Sequence, residues 1–155
     1  MEKRKVLEIC KRVAPAFKLD PLLALAICEQ ESSYNERAVR FEPLFFKRYV
    51  EPGGGPFSVE LLMSFSYGLM QTMGLTLEEQ GFFTGCELAG DFANTIDGYI
   101  IAPDRQVEEG CATLKRKMGV SEDVKLGLLR YNGGGNPNYP NEVLARYAKL
   151  QDEFK

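Results

Sequence analysis

The sequence predicts an all-α chain, or an α chain with a very small β piece, arranged around one central buried helix. Three observations predict it. Apolar residues recur at helical spacing in several separate stretches. Strand-type alternation is scarce throughout. Leu22 to Cys28 is an unbroken apolar run directly behind an Asp-Pro helix start. At 155 residues and 45% hydrophobic composition, the chain has the size of one ordinary domain and enough apolar surface for a core. It shows no internal repeat and no long linker, so residues 1–155 are expected to form a single domain.

The elements follow in order. Lys3 to Phe17 has Val6, Ile9, Cys10 and Val13 on one helical face, with Pro15 near its end. Asp20 is an N-cap and Pro21 a first helical residue for a helix running from Leu22 to about Ser33. That helix is apolar all round, which suits the middle of a small domain. Residues 36–66 are less regular, and Glu51-Pro52-Gly53-Gly54-Gly55-Pro56 reads as a loop. Ser58 to Phe65 and Leu75 to Phe83 read as short helices, and Thr84 to Asp97 as an irregular segment. Pro103 to Met118 is a helix, with Val107, Cys111 and Leu114 at i, i+4, i+7. Ser121 is the expected N-cap of a helix to Tyr131, with Glu122 and Asp123 in its first turn. Gly133-Gly134-Gly135-Asn136-Pro137 breaks it, and Pro140 to Phe154 is the last helix.

Composition narrows the chemistry. Net charge is −3, which argues against nucleic acid, since neutralising phosphates requires a basic surface. Any basic groove must be local. The chain has no histidine, so Ser-His and Cys-His nucleophile systems are excluded. Its four cysteines, Cys10, Cys28, Cys86 and Cys111, form no CxxC pair. They argue against a zinc site and read as buried free thiols. No metal and no cofactor is expected, so chemistry must rest on carboxylates, Lys, Tyr or Ser. The N-terminus is charged and amphipathic, without the apolar core of a signal peptide, and no apolar run is long enough to span a bilayer. The chain is therefore expected to be soluble, made in the cytoplasm, without membrane insertion and monomeric.

Glu31 is the most informative residue. Ala24, Ile27, Cys28 and Glu31 share one helical face. A carboxylate ending an apolar stripe is partly desolvated, which raises its pKa. A Glu held protonated near neutral pH can serve as a general acid. The plainer alternative is a Glu at a helix end that reaches water. Glu29 points to a different face.

Three further segments bear on that choice. Glu31-Ser32-Ser33-Tyr34-Asn35 is followed by Gly68-Leu69-Met70-Gln71, then by Arg130-Tyr131-Asn132-Gly133-Gly134. In this order they resemble the motifs of soluble lytic transglycosylases and goose-type lysozymes: a Glu-Ser closing a buried helix, a Gly-Leu-Met-Gln segment and an Ala-Tyr-Asn-x-Gly segment. Pro103 to Gly110 resembles that family's Pro-x-x-Asn-Ile-x-x-Gly helix, with Gln106 in place of Asn. The resemblance covers residues 19–147. The departures are a longer spacer carrying the Gly53 to Gly55 loop, which could flank the cleft as a lid, Arg130 for an Ala, and an inserted-looking Cys86 to Ile101 segment.

The resemblance implies a lysozyme-like helical domain that cleaves the β-1,4 bond between N-acetylmuramic acid and N-acetylglucosamine in peptidoglycan. It implies Glu31 as general acid and then base. Ser32 would support the sugar, Gly68 would let backbone approach it, Met70 would form a cleft wall, and Gln71 would hydrogen-bond the glycan. Tyr131 would orient Glu31 through its hydroxyl, and Asn132 would hold the acetamido group. A lytic transglycosylase needs no second carboxylate and leaves 1,6-anhydromuramic ends. A hydrolytic muramidase needs one to position water; Glu42 is the candidate, with Glu36 weaker, and Glu42 equally reads as a surface partner of Arg40 or Arg48. Arg40 to Tyr49 is loosely similar to stretches of phage-encoded members. Chitin oligomers are a possible extra substrate, because the acetamido group is shared. A chain of this kind fits an endolysin released through a holin-type pore, or a catalytic domain of a longer protein. Two other readings stay open: a glycan-binding domain without turnover, and a helical interaction domain using Phe41, Phe45, Phe46 and Tyr49 as a partner surface.

Overall fold

The structure, a computed structural model, describes residues 1–54, 57–86 and 89–155. Helix α1 (Lys3–Val13) ends in a 3-10 turn, Ala14–Phe17, and Lys18 closes it in the left-handed region at φ 57°. Helix α2 (Pro21–Ser32) starts as the sequence predicts, with the Asp20 carboxylate accepting the Leu22 amide at 2.7 Å. Leu23 to Cys28 are all buried, so α2 runs through the middle of the helical core. It stops at two successive residues with positive φ, Ser33 at 51° and Tyr34 at 65°. Neither is glycine, so the turn behind Glu31 carries backbone strain of about 1–2 kcal/mol per residue.

A short antiparallel sheet follows. Strand β1 (Val39–Phe41) pairs with β2 (Phe65–Tyr67), and β2 pairs with β3 (Thr72–Met73). This is the very small β piece expected. Between β1 and β2 lie α3 (Pro43–Phe45), a π-type turn Phe46–Val50, a 3-10 turn Glu51–Gly53 and α4 (Phe57–Met63). Gly55 and Pro56 of the expected loop lie outside the described residues. Helix α5 (Gly74–Glu79) and α6 (Ala89–Ile100) precede α7 (Pro103–Met118), α8 (Val124–Tyr131) and α9 (Tyr139–Glu153).

Two expectations about these elements are corrected. Residues 84–97 are not all irregular, because α6 begins at Ala89 and packs Ile96 and Tyr99 inward; residues 87 and 88 lie outside the described residues. Asp123, not Ser121, caps α8: its carboxylate accepts the Leu126 amide at 3.0 Å, while the Ser121 hydroxyl donates to Met118 O. The cysteines are all free thiols; Cys10, Cys28 and Cys111 are buried, but Cys86 is only half-buried.

The buried residues form two clusters. One joins α1, α2, α7, α8 and α9 around Leu25, Ile27, Val107 and Leu128. The other gathers Val50, Met63, Tyr67, Leu77, Phe83, Ile96 and Tyr99 beneath the sheet. Leu69 and Met70, at the β2–β3 turn, belong to the first cluster although Phe65 and Tyr67 of β2 belong to the second. The turn is thus the joint between the two cores. Among the described residues, no helix is long and apolar enough to cross a membrane.

Candidate functional site

Glu31 is the penultimate residue of α2, and its side chain is only 9% exposed. Ala24, Ile27 and Cys28, on the same face, are buried beneath it. Burial pushes its carboxyl pKa up. The Tyr139 hydroxyl and the Arg40 guanidinium pull the other way, Glu42 adds a smaller upward push, and the net direction is upward. Tyr139 donates to Glu31 Oε1 at 2.5 Å, and Arg40 Nη2 stands 4.0 Å from Oε2. One carboxylate oxygen is therefore anchored and the other faces a cation.

The tyrosine is set by packing between α2 and α9. Arg146 of α9 donates to Gln30 at 2.6 Å and to Glu29 at 3.1 Å. Gln30 in turn donates to Glu142 at 3.0 Å. These bonds fix the register of the two helices, and Tyr139, first residue of α9 and buried, then falls on Glu31. The sequence reading gave this part to Tyr131. The structure corrects it: the Tyr131 hydroxyl donates to Met70 O at 2.7 Å. Tyr131 still borders Glu31's surroundings, and its own pKa is pushed up by burial and by Glu31. The signal that could have flagged Tyr139 is its place beside Pro140, which fixes where α9 begins.

Glu31 opens into a cleft of about 530 Å³. Arg40, Glu42, Phe45, Arg48 and Tyr49 line it from the 40–49 segment. Thr113 and Lys117 of α7, Arg130 and Tyr131 of α8, and Asn132 and Gly133 beyond it line it from the helical core. Gln71 and Thr72 line it from the hairpin. The structure thus brings Glu31, Glu42, Gln71, Tyr131 and Asn132 to one cavity.

Ser32, Gly68 and Met70 are not among the lining residues. The Ser32 hydroxyl is 2.8 Å from Leu69 O and 3.0 Å from Cys28 O, so it ties α2 to the hairpin turn. Met70 is fully buried and packs on Gly110, where a Cβ would lie 2.4 Å from its sulfur; it is core, not wall. Gly68, at φ +76°, does admit a close approach, but the neighbour is Gln106, whose carboxamide would lie 2.5 Å from an added Cβ.

Gln106 is wholly buried and organises the turn. Its Oε1 accepts the Leu69 amide at 2.8 Å, and its Nε2 lies within 3.0 Å of the carbonyls of Glu36, Tyr99 and Ile100. Gln71 takes a left-handed φ of 49°. Its side chain is committed internally: Nε2 donates to Gly68 O at 2.9 Å and Ala38 O at 3.2 Å, and Oε1 accepts from Ser66 at 2.7 Å. Its first task is thus to hold the turn against the cleft.

Asn132 Oδ1 accepts the Asn136 amide at 2.9 Å, which folds the glycine-rich loop back, and Asn132 lines the cleft. Glu42 pairs with Arg40 Nε, so both parts of the sequence reading meet: Glu42 is in the cleft and is also Arg40's partner. Glu36 lies elsewhere, on the N-terminal ammonium of Met1 at 2.8 Å, which holds its pKa low. Among the described residues no Cys, Asp and Glu cluster could hold a metal ion. The Phe41 and Phe65 rings meet at 5.2 Å and those of Phe45 and Tyr49 at 5.0 Å, both tilted by 46°, so the aromatic segment is partly self-packed.

A buried carboxyl with a raised pKa, held by a tyrosine at a cleft, suits general acid catalysis. Neither a curated protein nor a solved structure matches the chain. The family model for the transglycosylase SLT domain matches residues 8–152. The chain therefore belongs to the transglycosylase SLT domain family, glycosidase-like enzymes of the peptidoglycan lytic transglycosylase type with a mostly helical, lysozyme-like fold.

Proposed function

We propose that this chain cleaves the β-1,4 bond between N-acetylmuramic acid and N-acetylglucosamine as a lytic transglycosylase, with Glu31 as the single acid and base. The observation that carries this reading is the setting of Glu31: deeply buried, pKa raised, and fixed by Tyr139 at the cleft. Glu31 gives its proton to the glycosidic oxygen as the C1–O bond breaks. The neighbouring acetamido carbonyl oxygen bonds to C1 and holds the positive charge, while Asn132 Nδ2 positions that group. Glu31, now ionised, takes the proton of the 6-hydroxyl as O6 attacks C1 and expels the acetamido oxygen. The product is a 1,6-anhydromuramic end. Tyr139 and Arg40 favour the ionised form of Glu31, so they assist the first half, in which the carboxyl gives up its proton.

Hydrolysis with Glu42 as water-positioning base is the second reading, favoured by the presence of Glu42 in the same cleft. Its pairing with Arg40 weighs against it, because the guanidinium already occupies a carboxylate oxygen that would hold the water. Mass spectrometry of purified peptidoglycan after digestion decides between them. Anhydro ends that vanish with Glu31→Gln support the proposal; reducing ends replace it with hydrolysis. No cleavage by the unaltered chain refutes both.

A further inference from the structure

The charges around the cleft do not match the charge of the chain. The protein is acidic overall, at −3, yet four cations line this cavity: Arg40, Arg48, Lys117 and Arg130. Its three carboxylates are already accounted for. Glu31 is buried with a raised pKa, Glu42 is paired with Arg40, and Glu79 stands 3.8 Å from Arg116. Among the described residues, Arg48, Lys117 and Arg130 have no carboxylate partner. Arg48 rests 5.2 Å over the Tyr49 ring.

Lys117 and Arg130 are neighbours by construction. Thr113 and Lys117 stand at i, i+4 on the cleft face of α7. Arg130, from α8, donates through Nη1 to the Lys117 carbonyl at 3.2 Å. That bond holds the guanidinium at the C-terminal end of α7, and Lys117 and Arg130 both line the cavity. Among the described residues no carboxylate pairs with either cation, and a neutral sugar brings no anion to them.

We propose that Lys117 and Arg130 form a carboxylate-binding edge that takes the peptide arm carried by the glycan strand, so that the enzyme prefers strands bearing free peptide carboxylates. This rests on the proposed peptidoglycan-cleaving activity and names the part of the substrate read outside the sugar chain. Two point charges at a solvated edge act chiefly through Coulomb attraction, which salt weakens.

The test compares soluble peptide-bearing glycan strands with the same strands after a carbodiimide and ammonia have turned their carboxylates into amides. The readout is the ratio of kcat/KM on native over amidated strands. For the unaltered chain at low salt we expect a ratio of about 5, a size typical of two partly exposed charge pairs, falling toward 1 in high salt. The Lys117→Gln/Arg130→Gln double variant is expected to bring the ratio to about 1 at low salt, with Lys117→Gln alone partway. Should the double variant fold poorly, the single variant decides. A ratio of 1 or less for the unaltered chain, or a ratio the variants leave unchanged, overturns the inference while cleavage itself stands. Absence of cleavage of either substrate is instead a failure of the proposed activity.

Discussion

The hydroxyl of Tyr139 donates to Glu31 Oε1 at 2.5 Å across 108 residues of sequence. The bond joins the start of α9 to the end of α2 and selects which carboxylate oxygen is left for substrate. Removing it has two effects of opposite flavour. Tyr139→Phe takes away a group that lowers the Glu31 pKa, so that pKa rises further. The alkaline limb of the activity profile, where the acid loses its proton, should move to higher pH. Meanwhile the carboxyl loses its anchor, and kcat is expected to fall about tenfold, the size of a lost hydrogen bond to a charged group. A pH–rate profile of the variant checks both; a limb that moves down in pH contradicts this role.

Replacing the acid itself should trade activity for stability. Burial raises the folded pKa of Glu31 above its unfolded value. Such a group favours the fold fully below the unfolded pKa and loses that contribution as pH rises through the folded one. Above the unfolded pKa, burying this carboxyl is therefore a burden on the fold. Glu31→Gln should abolish cleavage by about 100-fold or more and stabilise the fold by about 1 kcal/mol near pH 7. The gain should shrink toward zero at about pH 3, below the usual carboxylate range. Urea unfolding at the two pH values measures the difference; an equal gain at both removes ionisation as its cause.

Glu42 offers a third test, because it pushes the Glu31 pKa up and engages Arg40. Glu42→Gln removes the push and frees the guanidinium to act on Glu31, so both changes lower that pKa. The alkaline limb should move to lower pH, with kcat at its optimum within about threefold of the original, as for a residue outside the bond-breaking step. Anhydro ends should remain the product. A loss of about 100-fold accompanied by loss of reducing-end products would assign Glu42 to water instead.

The helical class, the capped and proline-started α2 and the α7 stripe were legible because each is written in residues close together. Asp20 and Pro21 act on their own helix, and Val107, Cys111 and Leu114 repeat at its period. Helix α6 was obscured by Gly90 and Gly98, although Ile96 and Tyr99 at i, i+3 carried its buried face. Glu31 was legible for the same local reason. The assignments that changed concern what meets what across the chain. Nothing in the neighbourhood of Tyr131 says that its hydroxyl ends on Met70 O, nor does Tyr139 announce Glu31. Ser32, Gly68 and Met70 were read as facing substrate because their motif lies at the site, but their atoms face inward and hold the hairpin turn.

That inward role gives the last prediction, at Gln106. Its carboxamide satisfies the Leu69 amide and reaches the carbonyls of Glu36, Tyr99 and Ile100, none with another side-chain donor at hand among the described residues. Gln106→Leu keeps similar bulk but strands the buried Leu69 amide and takes a donor from the three carbonyls, of which Tyr99 O keeps the Ala102 amide; each group left unpaired costs about 1–3 kcal/mol. Water entry and relaxation would recover part of that, so a net loss of about 3–5 kcal/mol is expected. Gln106→Asn keeps the amide on a shorter stem; it should reach fewer partners and cost about 1–2 kcal/mol. Because Leu69 is followed by Met70, whose carbonyl holds Tyr131, and by Gln71 in the cleft, the Leu variant should also lose kcat at temperatures where it is still folded. Urea midpoints ranked wild type, Asn, Leu, with kcat falling in the same order, would tie the turn to the site. Full activity in a destabilised Leu variant would show the turn to be support for the fold alone.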